Sequence, residues 1–332
     1  MTTVRIIAGQ IENETSTAPT SHTPDSQSGN RADKVIASEL NLSRRVVRAI
    51  LDAGDAVVDG RPLRPAEHVA PGTAIEVVLP VADPPIEPDA TVPFVVVLED
   101  PDLLVIDKPI GVVVHPTSSR SEGTLVHGLL SRYPEIRGVG EEGRWGIVHR
   151  LDRDTSGLIV VARNQRAHEV LTEMMRNREV TRRYLALVVG SFMNTTGTIE
   201  APIGRDPSNP VRMRVEKGGR EARTHYRRLA GWNMPDLTLL SVVLDTGRTH
   251  QIRVHLKAIE HPIVGDGAYG RSGTAGDPGR PWLHARQLSL THPFDGRVID
   301  VVSPLPIDLV DSLRTLGLPE LGAVADIDGI DL

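Results

Sequence analysis

The sequence contains no cysteine and very few aromatic residues. Without cysteine, neither a disulfide nor a cysteine-ligated zinc site can form, which favours a protein of the reducing cytoplasm. Aromatic residues make up only 3% of the chain, so valine, leucine and isoleucine must build the core. No apolar run approaches the roughly 20 residues of a membrane span, and the first residues lack the apolar segment of a secretory signal. We therefore expect neither a membrane segment nor a signal peptide.

Several motifs that bind cofactors or carry known chemistries are also missing. No Walker A loop occurs, and no GxGxxG loop follows a predicted strand. The GxSxG nucleophile elbow and the HExxH zinc motif are absent as well. The 12 histidines show no spacing typical of metal ligands. We predict no cofactor and no metal site.

The net charge of −6 is distributed unevenly along the chain. Residues 81–102 contain six acidic residues and no basic one, and residues 305–332 contain six acidic residues and one arginine. Residues 1–30 are acidic as well, so the remaining segments carry a net positive charge. The negative total is therefore compatible with an anionic partner such as a nucleic acid.

The first 80 residues divide into a polar tail and a small domain. Residues 1–30 are rich in serine, threonine and proline, and we expect them to be disordered. Residues 31–80 contain two amphipathic helix patterns and short strand patterns, which predict a small unit of helices and sheet. Arg44, Arg45 and Arg48 share the start of its second helix, where the helix dipole favours anions. An RNA-binding surface and an ordinary solvated helix face are both consistent with this pattern.

The rest of the chain reads as a linker, a larger domain and a tail. Residues 81–92 are acidic and rich in proline, which is typical of a stiff linker. Short strand patterns and intervening helix patterns fill residues 93–310 and predict one larger domain. Residues 311–332 are acidic, and we expect a loose C-terminal tail.

Polar clusters lie at the ends of several predicted strands of the larger domain. Taken singly, each has an ordinary explanation. Asp154 could cap a turn, Tyr184 could be a half-buried strand residue, and Arg253 could be an exposed helix charge. The clusters read DKPIGVVVHP, HRLDRDTSGL, RRYLALVVG, TGRTHQIRVH, HPIVGDGAYG and LHARQLSLTHP.

Taken together and in this order, the clusters resemble those of the RluA/RluD-type pseudouridine synthases. Within that group the chain most resembles the RluD branch, which modifies large-subunit ribosomal RNA. HRLDxxTSG and GRTHQIRVH are highly specific motifs, and the resemblance covers residues 31 to about 310. The stretch SRRVVRAILDAGDAVVDGRPL resembles the S-four RNA-binding domain. One departure is Arg182, which stands where the family often has a lysine.

The resemblance implies an α+β fold. We expect a pseudouridine synthase domain around a mixed, largely antiparallel central sheet, preceded by a small S-four-like α/β domain. The active cleft should cross the middle of the sheet. The resemblance also implies that Asp152 is the catalytic aspartate, that Tyr184 packs on the uracil, and that Arg253 pairs with the aspartate.

The implied reaction explains these residue types. The bond between uracil and ribose breaks, the base rotates, and a ring carbon joins the same sugar, so no cofactor is required. Asp152 could attack the sugar or abstract a proton from it, and the sequence leaves both routes open. The base must leave its stack at a cost of about a few kcal/mol. Arg150 is expected to fill the gap that it leaves, and His149 and Lys108 are expected to contact the RNA.

Three alternatives remain at this point. Transfer RNA could be the substrate instead of ribosomal RNA, or the chain could be a non-catalytic RNA-binding factor in ribosome assembly. A glycoside hydrolase using Asp152 and Asp154 would need separated carboxylates and usually aromatic sugar platforms, which 3% aromatics hardly supply. We expect ribosomal RNA or a pre-ribosomal particle as the partner, no membrane partner, a monomer and a cytoplasmic location.

Overall fold

The chain divides into two units, Met1–Pro85 and Ile86–Leu332. The computed structural model describes the segments 2–8, 30–42, 44–79, 86–117, 120–270 and 273–324.

Within the described segments, the N-terminal unit combines two helices with a four-stranded antiparallel sheet, whose strands lie in the order Thr2–Ile7, Ala74–Leu79, Ala56–Val58 and Arg61–Pro62. Val35, Ile36 and Ile50 on the helices are buried in one core with Ile75 and Val77 of the sheet, as the amphipathic patterns predict. Its elements are β1 (Thr2–Ile7), β2 (Asn30–Arg31), α1 (Ala32–Glu39), α2 (Arg44–Ala53), β3 (Ala56–Val58), β4 (Arg61–Pro62), β5 (His68–Val69) and β6 (Ala74–Leu79).

The expectation that residues 1–30 are disordered is wrong for the first strand. Each residue of β1 pairs antiparallel with β6, from Thr2 opposite Leu79 to Ile7 opposite Ala74. Ile6 points into the core of the unit, which gives this short apolar stretch a reason to order. A composition averaged over 30 residues conceals a strand of six. Residues 9–29 lie outside the described part of the chain.

The larger unit is built on one ten-stranded sheet and four α-helices within the described segments. Its elements are β7 (Val95–Glu99), β8 (Leu103–Lys108), α3 (Leu125–Arg132), β9 (Ser156–Ala162), α4 (Gln165–Arg176), β10 (Thr181–Val189), β11 (Thr196–Glu200), β12 (Ile203–Arg205), β13 (Met213–Val215), β14 (Arg223–Asn233), β15 (Asp236–Leu244), α5 (Gln251–Ala258), β16 (Leu283–Thr291), β17 (Val298–Val302), α6 (Ile307–Leu316) and β18 (Leu321–Gly322).

The sheet is mixed and largely antiparallel. Its order is β11-β14-β15-β10-β16-β9-β8-β7, with β17 beside β16 and β18 beside β14. Among the described strands only β9 and β16 pair in parallel, through Ser156 opposite His284 and Gly157 opposite Ala285. The predicted α+β class is therefore confirmed.

Both faces of the central strands are covered. Every residue of β9 is buried, so its side chains alternate between two apolar cores. Helix α3 contributes Leu125 and Leu129 to one core, and α4 contributes Ala167 and Leu171 to the other. Within the segments described, no helix is both long enough and apolar enough to cross a membrane.

The structure also shifts the two remaining boundaries. The expected loose tail at 311–332 begins inside α6, whose Leu309 and Leu313 are fully buried in the main core, and Val324 is buried there as well. Leu309 and Leu313 are four residues apart on the inner face of α6. The acidic residues on its outer face make the average composition of the segment polar, which hides this helical pattern. At the other end, Val92 of the expected linker already packs in the core of the larger unit.

Candidate active site

Asp152 lies in the loop before β9 and is anchored there by local contacts. The Thr155 amide donates to the Asp152 carbonyl at 3.2 Å and closes a turn, and Gly157, two residues further on, pairs with Ala285 of β16. Its φ is +113°, and a Cβ there would lie 2.3 Å from the carbonyl oxygen of Ala285. Only glycine fits this close approach. The TSG part of the motif therefore fixes where the chain leaves the loop and enters the sheet.

Arg253 on α5 connects two carboxylates. Its Nη1 donates to Asp152 Oδ2 at 3.1 Å, while Nε and Nη2 donate to Asp266 at 2.7 and 2.8 Å. Burial disfavours the charge of this guanidinium, but hydrogen bonding to Asp266 and attraction to Asp152 outweigh it and raise the pKa of Arg253. The two-point contact fixes the plane of the guanidinium, so that one nitrogen is aimed at Asp152.

Asp266 holds this arrangement from a loop that the sheet fixes. The Val264 amide donates to the carbonyl of Leu187 on β10 at 2.9 Å, which pins the loop to the sheet. The carboxylate of Asp266 is almost fully buried and also accepts the amides of Ala268 and Tyr269. Asp266 lies in the HPIVGDGAYG cluster, but no sequence pattern indicates its role.

His250 and Tyr269 complete the surroundings of the aspartate. His250 has φ +57° at the start of α5, and its Nε2 lies 4.0 Å from Asp152 Oδ2. Burial lowers the pKa of His250, so the ring is neutral at pH 7. The Tyr269 hydroxyl accepts the Met213 amide at 2.8 Å and lies 2.8 Å from His250 Nδ1. We assign its proton to that hydrogen bond, which leaves the proton of His250 on Nε2, toward Asp152.

Tyr184 lies on β10 in the middle of the sheet, opposite Val242 of β15. Its side chain is buried, and burial raises the pKa of its hydroxyl, so the tyrosine is neutral at physiological pH. Tyr184, Asp152 and Arg253 line one cavity of about 50 Å³. The structure thus brings together the three residues to which the resemblance assigns catalytic roles.

Arg150, Arg182 and Arg248 line the same cavity. Arg150 is exposed at its edge, where a side chain can reach toward a bound nucleic acid. Arg182 lies two residues before Tyr184 on β10 and is buried. Burial lowers the pKa of Arg182, although the group remains a cation.

Lys108, which is predicted to contact RNA, is directed into the protein. Its side chain is fully buried, and Nζ donates to the carbonyls of Pro109 at 2.7 Å, Val112 at 3.0 Å and Arg153 at 3.2 Å. Burial lowers the pKa of Lys108 to about 7. The three ammonium protons match three carbonyls, so Lys108 ties the loop after β8 to the loop of Asp152.

His149 is also directed inward, contrary to the predicted RNA contact. Its Nε2 accepts the backbone amide of Val160 on β9 at 3.0 Å, and its Nδ1 is buried without a hydrogen-bond partner among the described residues. Burial lowers the pKa of His149 to about 3. The neutral ring accepts a strand amide, so His149 supports the sheet next to Asp152.

The predicted basic surface of the N-terminal unit lies on α2. Arg44 and Arg48 are exposed, and Arg48 forms an ion pair with Asp52 one turn later at 2.9 Å. The side chain of Arg45 lies outside what the structure describes.

One group of side chains elsewhere has the composition of a metal site. Asp100, Asp102 and His292 bring ligand atoms within 4.8 Å of one another, the only such group among the described residues. Asp100 is bound by Arg297 and His292, and Asp102 accepts from Asn164 at 2.8 Å. The protein's own donors therefore satisfy these carboxylates, and the group lies apart from the cavity lining.

The chain is similar to known proteins over the segment that contains this site. The family model for RNA pseudouridylate synthase matches residues 102–258, which include Asp152, Tyr184 and Arg253. An uncharacterized RNA pseudouridine synthase of Chloroflexus aurantiacus is 45% identical over 88% of this chain and 92% of its own. The ribosomal large subunit pseudouridine synthase D of Nitrosomonas europaea is 40% identical over 93% of this chain and 90% of its own.

A solved structure agrees in fold. The human RNA pseudouridylate synthase domain containing 1 protein superposes with a TM-score of 0.55 at 29% identity, over 72% of this chain and 95% of its own. The sheet, the cavity residues and the near full-length similarity to these relatives lead to one assignment: the chain belongs to the RNA pseudouridine synthase family and is an isomerase of uridine in RNA.

Proposed function

We propose that this enzyme isomerises specific uridines of large-subunit ribosomal RNA, with Asp152 as its catalytic residue. The single observation that carries the assignment of Asp152 is its contact with Arg253, whose remaining donors are held by buried Asp266. A carboxylate presented in this way has one oxygen fixed in direction at the cavity that a flipped nucleotide would enter.

Asp152 then has a defined chemical task. The bond from C1′ of the ribose to N1 of uracil breaks, and the carboxylate either bonds to C1′ or removes a proton from C2′. The freed base rotates and rejoins C1′ through C5. As this bond forms, the bond from Asp152 to C1′ breaks on the first route, and Asp152 returns the proton to C2′ on the second. The C5 proton is then lost and N1 gains one. The buried Tyr184 offers its ring as a surface for the base, and the cavity encloses the reacting atoms.

The exposed Arg150 can help the target base to leave the RNA and enter this site. Because the target must leave its stack at a cost of about a few kcal/mol, a side chain that occupies the vacated space lowers that cost. Arg150 is two residues from Asp152 and exposed at the edge of the cavity, which suits this role.

Named relatives support ribosomal RNA as the substrate. Ribosomal large subunit pseudouridine synthases D from Nitrosomonas europaea, Xanthomonas campestris and Xylella fastidiosa are each 40% identical to this chain. We assign the N-terminal unit as an S-four-like RNA-binding domain, with Arg44, Arg45 and Arg48 as phosphate contacts. The enzyme then acts as a monomer in the cytoplasm, where ribosomal RNA is assembled.

Pseudouridine mapping by mass spectrometry tests the substrate. Ribosomal and transfer RNA are compared between the parent strain, a deletion strain and deletion strains carrying wild type or Asp152→Asn. We expect sites in large-subunit ribosomal RNA to be lost in the deletion and restored only by wild type. Loss confined to transfer RNA would reassign the substrate, and restoration by Asp152→Asn would remove the catalytic role of Asp152.

A further inference from the structure

Arg182 is a buried cation whose hydrogen-bonding capacity is largely unused. The residue is 6% exposed and lines the cavity together with Asp152 and Tyr184. As residues two apart on a strand, Arg182 and Tyr184 point to the same side of β10. The guanidinium is therefore placed beside the surface proposed to hold the base.

The partners of this guanidinium are few. Nη2 donates to the carbonyl of Leu244 at 3.3 Å, and Nε is buried with no hydrogen-bond partner in the described segments. Among the residues that the structure describes, no carboxylate lies within ion-pair distance of Arg182. Gly247 closes over it, since a Cβ there would lie 3.0 Å from Nη1.

Two other arginines of the same unit with little exposure, Arg253 and Arg280, are paired with carboxylates. Arg253 binds Asp152 and Asp266, and Arg280 donates to both oxygens of Asp308 at 2.6 and 3.2 Å. Burying a guanidinium without a carboxylate is costly unless another acceptor meets it. An unpaired cation in a cavity wall therefore indicates an oxygen-bearing ligand that arrives from outside the protein.

The reaction generates such an acceptor at this place. When C1′–N1 breaks, its electron pair stays on N1, and the uracil leaves as an anion whose charge spreads onto its two carbonyl oxygens. A donor that meets one of these oxygens binds more tightly as the charge develops, so it stabilises the transition state more than the ground state. The same donors would also suit a phosphate oxygen of the flipped nucleotide.

We propose that Arg182 is a catalytic residue that donates a hydrogen bond to a carbonyl oxygen of the flipped uracil and stabilises the departing uracil anion. The inference rests on the proposed role of Asp152 in the same cavity. It holds for attack by Asp152 on C1′ and for proton removal from C2′, because both expel the same anion. Arg182 keeps all its protons, and N1 receives its proton from another donor after C5 has joined C1′.

The test compares two leaving groups in single turnover at saturating enzyme. A short RNA carries either uridine or 5-fluorouridine at the target position, and the measured quantity is the rate at which that nucleotide is consumed. Fluorine stabilises the uracil anion by itself, so a lost donor should matter less for this base. The variants are Arg182→Met, Arg182→Lys and, as a matched control on the neighbouring residue, Arg183→Met.

We expect Arg182→Met to slow consumption of uridine about 100-fold or more, which is the usual effect of losing one transition-state donor. Consumption of 5-fluorouridine should slow at least about tenfold less, and Arg183→Met should leave the ratio of the two rates unchanged. Arg182→Lys should fold even if the methionine variant does not, and it should show the same bias toward 5-fluorouridine in smaller measure.

Three results would overturn the inference. Equal slowing of both bases by Arg182→Lys and Arg182→Met would mean a purely structural residue. A larger dissociation constant for RNA, with a smaller salt dependence of binding and unchanged rates at saturating enzyme, would mean that Arg182 contacts a phosphate. Wild-type rates in both variants would mean no role. Failure of the proposed function is distinguishable, because Asp152→Asn would then still consume uridine.

Discussion

The arginines proposed to act on RNA differ in burial and in pairing between the two units. In the larger unit, Arg253 is 11% exposed and its donors are shared between two carboxylates. In the N-terminal unit, Arg48 is 65% exposed and forms an ion pair with Asp52 on the next turn of its own helix. Buried, oriented cations determine the geometry of a reaction, whereas exposed ones supply affinity that salt can screen. The two units should therefore respond differently to substitution.

The most severe loss should come from Asp152→Asn. The substitution keeps the shape of the side chain but removes the charge that either chemical route needs, so we expect a loss on the order of 10⁴-fold in single-turnover rate. RNA affinity should change little, because many phosphate contacts supply it. Rate and binding are measured on the same target RNA. A near wild-type rate would place the chemistry on another residue.

Asp266→Asn should lower the single-turnover rate, although Asp266 acts through Arg253 and not on the substrate itself. Arg253 would lose its charged anchor, and a misplacement of about 1 Å near the reacting atoms costs roughly 100-fold in rate. We expect this loss in the single-turnover rate at saturating enzyme, with an unchanged dissociation constant for RNA. Asp311→Asn, an exposed carboxylate on α6, serves as the matched control and should keep full activity. Equal effects of both variants would show that burial of the anchor is irrelevant.

His149→Gln should change the acid sensitivity of the larger unit. The pKa of His149 is about 3 in the folded chain and about 6.5 when unfolded, so the unfolded state binds the extra proton between those values. Stability is therefore lost as the pH falls below about 6.5, by up to roughly 1.4 kcal/mol per pH unit for this group. Glutamine can accept the Val160 amide but does not titrate.

Urea unfolding at pH 7 and pH 5 measures this difference. Wild type should lose more free energy of unfolding between the two pH values than His149→Gln does. Identical losses would show that His149 becomes protonated within the folded state.

The smallest effect on chemistry should follow from changing Arg44, Arg45 and Arg48 together to alanine. We expect weaker binding to structured RNA and a salt dependence reduced by up to about three phosphate contacts. The pair between Arg48 and Asp52 is exposed and costs little to break, so the unit should stay folded. Binding across a salt series and single-turnover rates are measured together. An unchanged salt slope would make α2 an ordinary solvated face, and a collapsed rate would make the unit part of the active complex.

The sequence motifs were sufficient to choose the residues that meet in the cavity, because Asp152, Tyr184 and Arg253 stand in short, specific patterns. They were insufficient for Lys108 and His149, which were predicted to contact RNA but are directed into the protein. Whether a basic side chain turns toward solvent or toward backbone groups of a neighbouring loop depends on tertiary packing, which a local pattern does not contain.

Larger errors arose where composition was averaged. The strand β1 has only six residues, and the long polar stretch after it dominates the average composition. In α6, acidic residues on the outer face have the same effect on the apolar inner face. The role of Asp266 depends on a loop that two backbone hydrogen bonds hold to β10, from the Val189 amide to Pro262 and from the Val264 amide to Leu187. Such a long-range contact has no signature in the spacing of residues.

The two-residue seam between β9 and β16 limits how this enzyme can change. At Gly157 a positive φ and the nearby carbonyl of Ala285 leave no other residue type available, so the common stabilising exchange of glycine for alanine is closed. The chain enters the sheet there only five residues after Asp152. A lineage that acquires a new target, or an engineer who seeks one, must therefore alter surface loops and the N-terminal unit and leave this seam as it is.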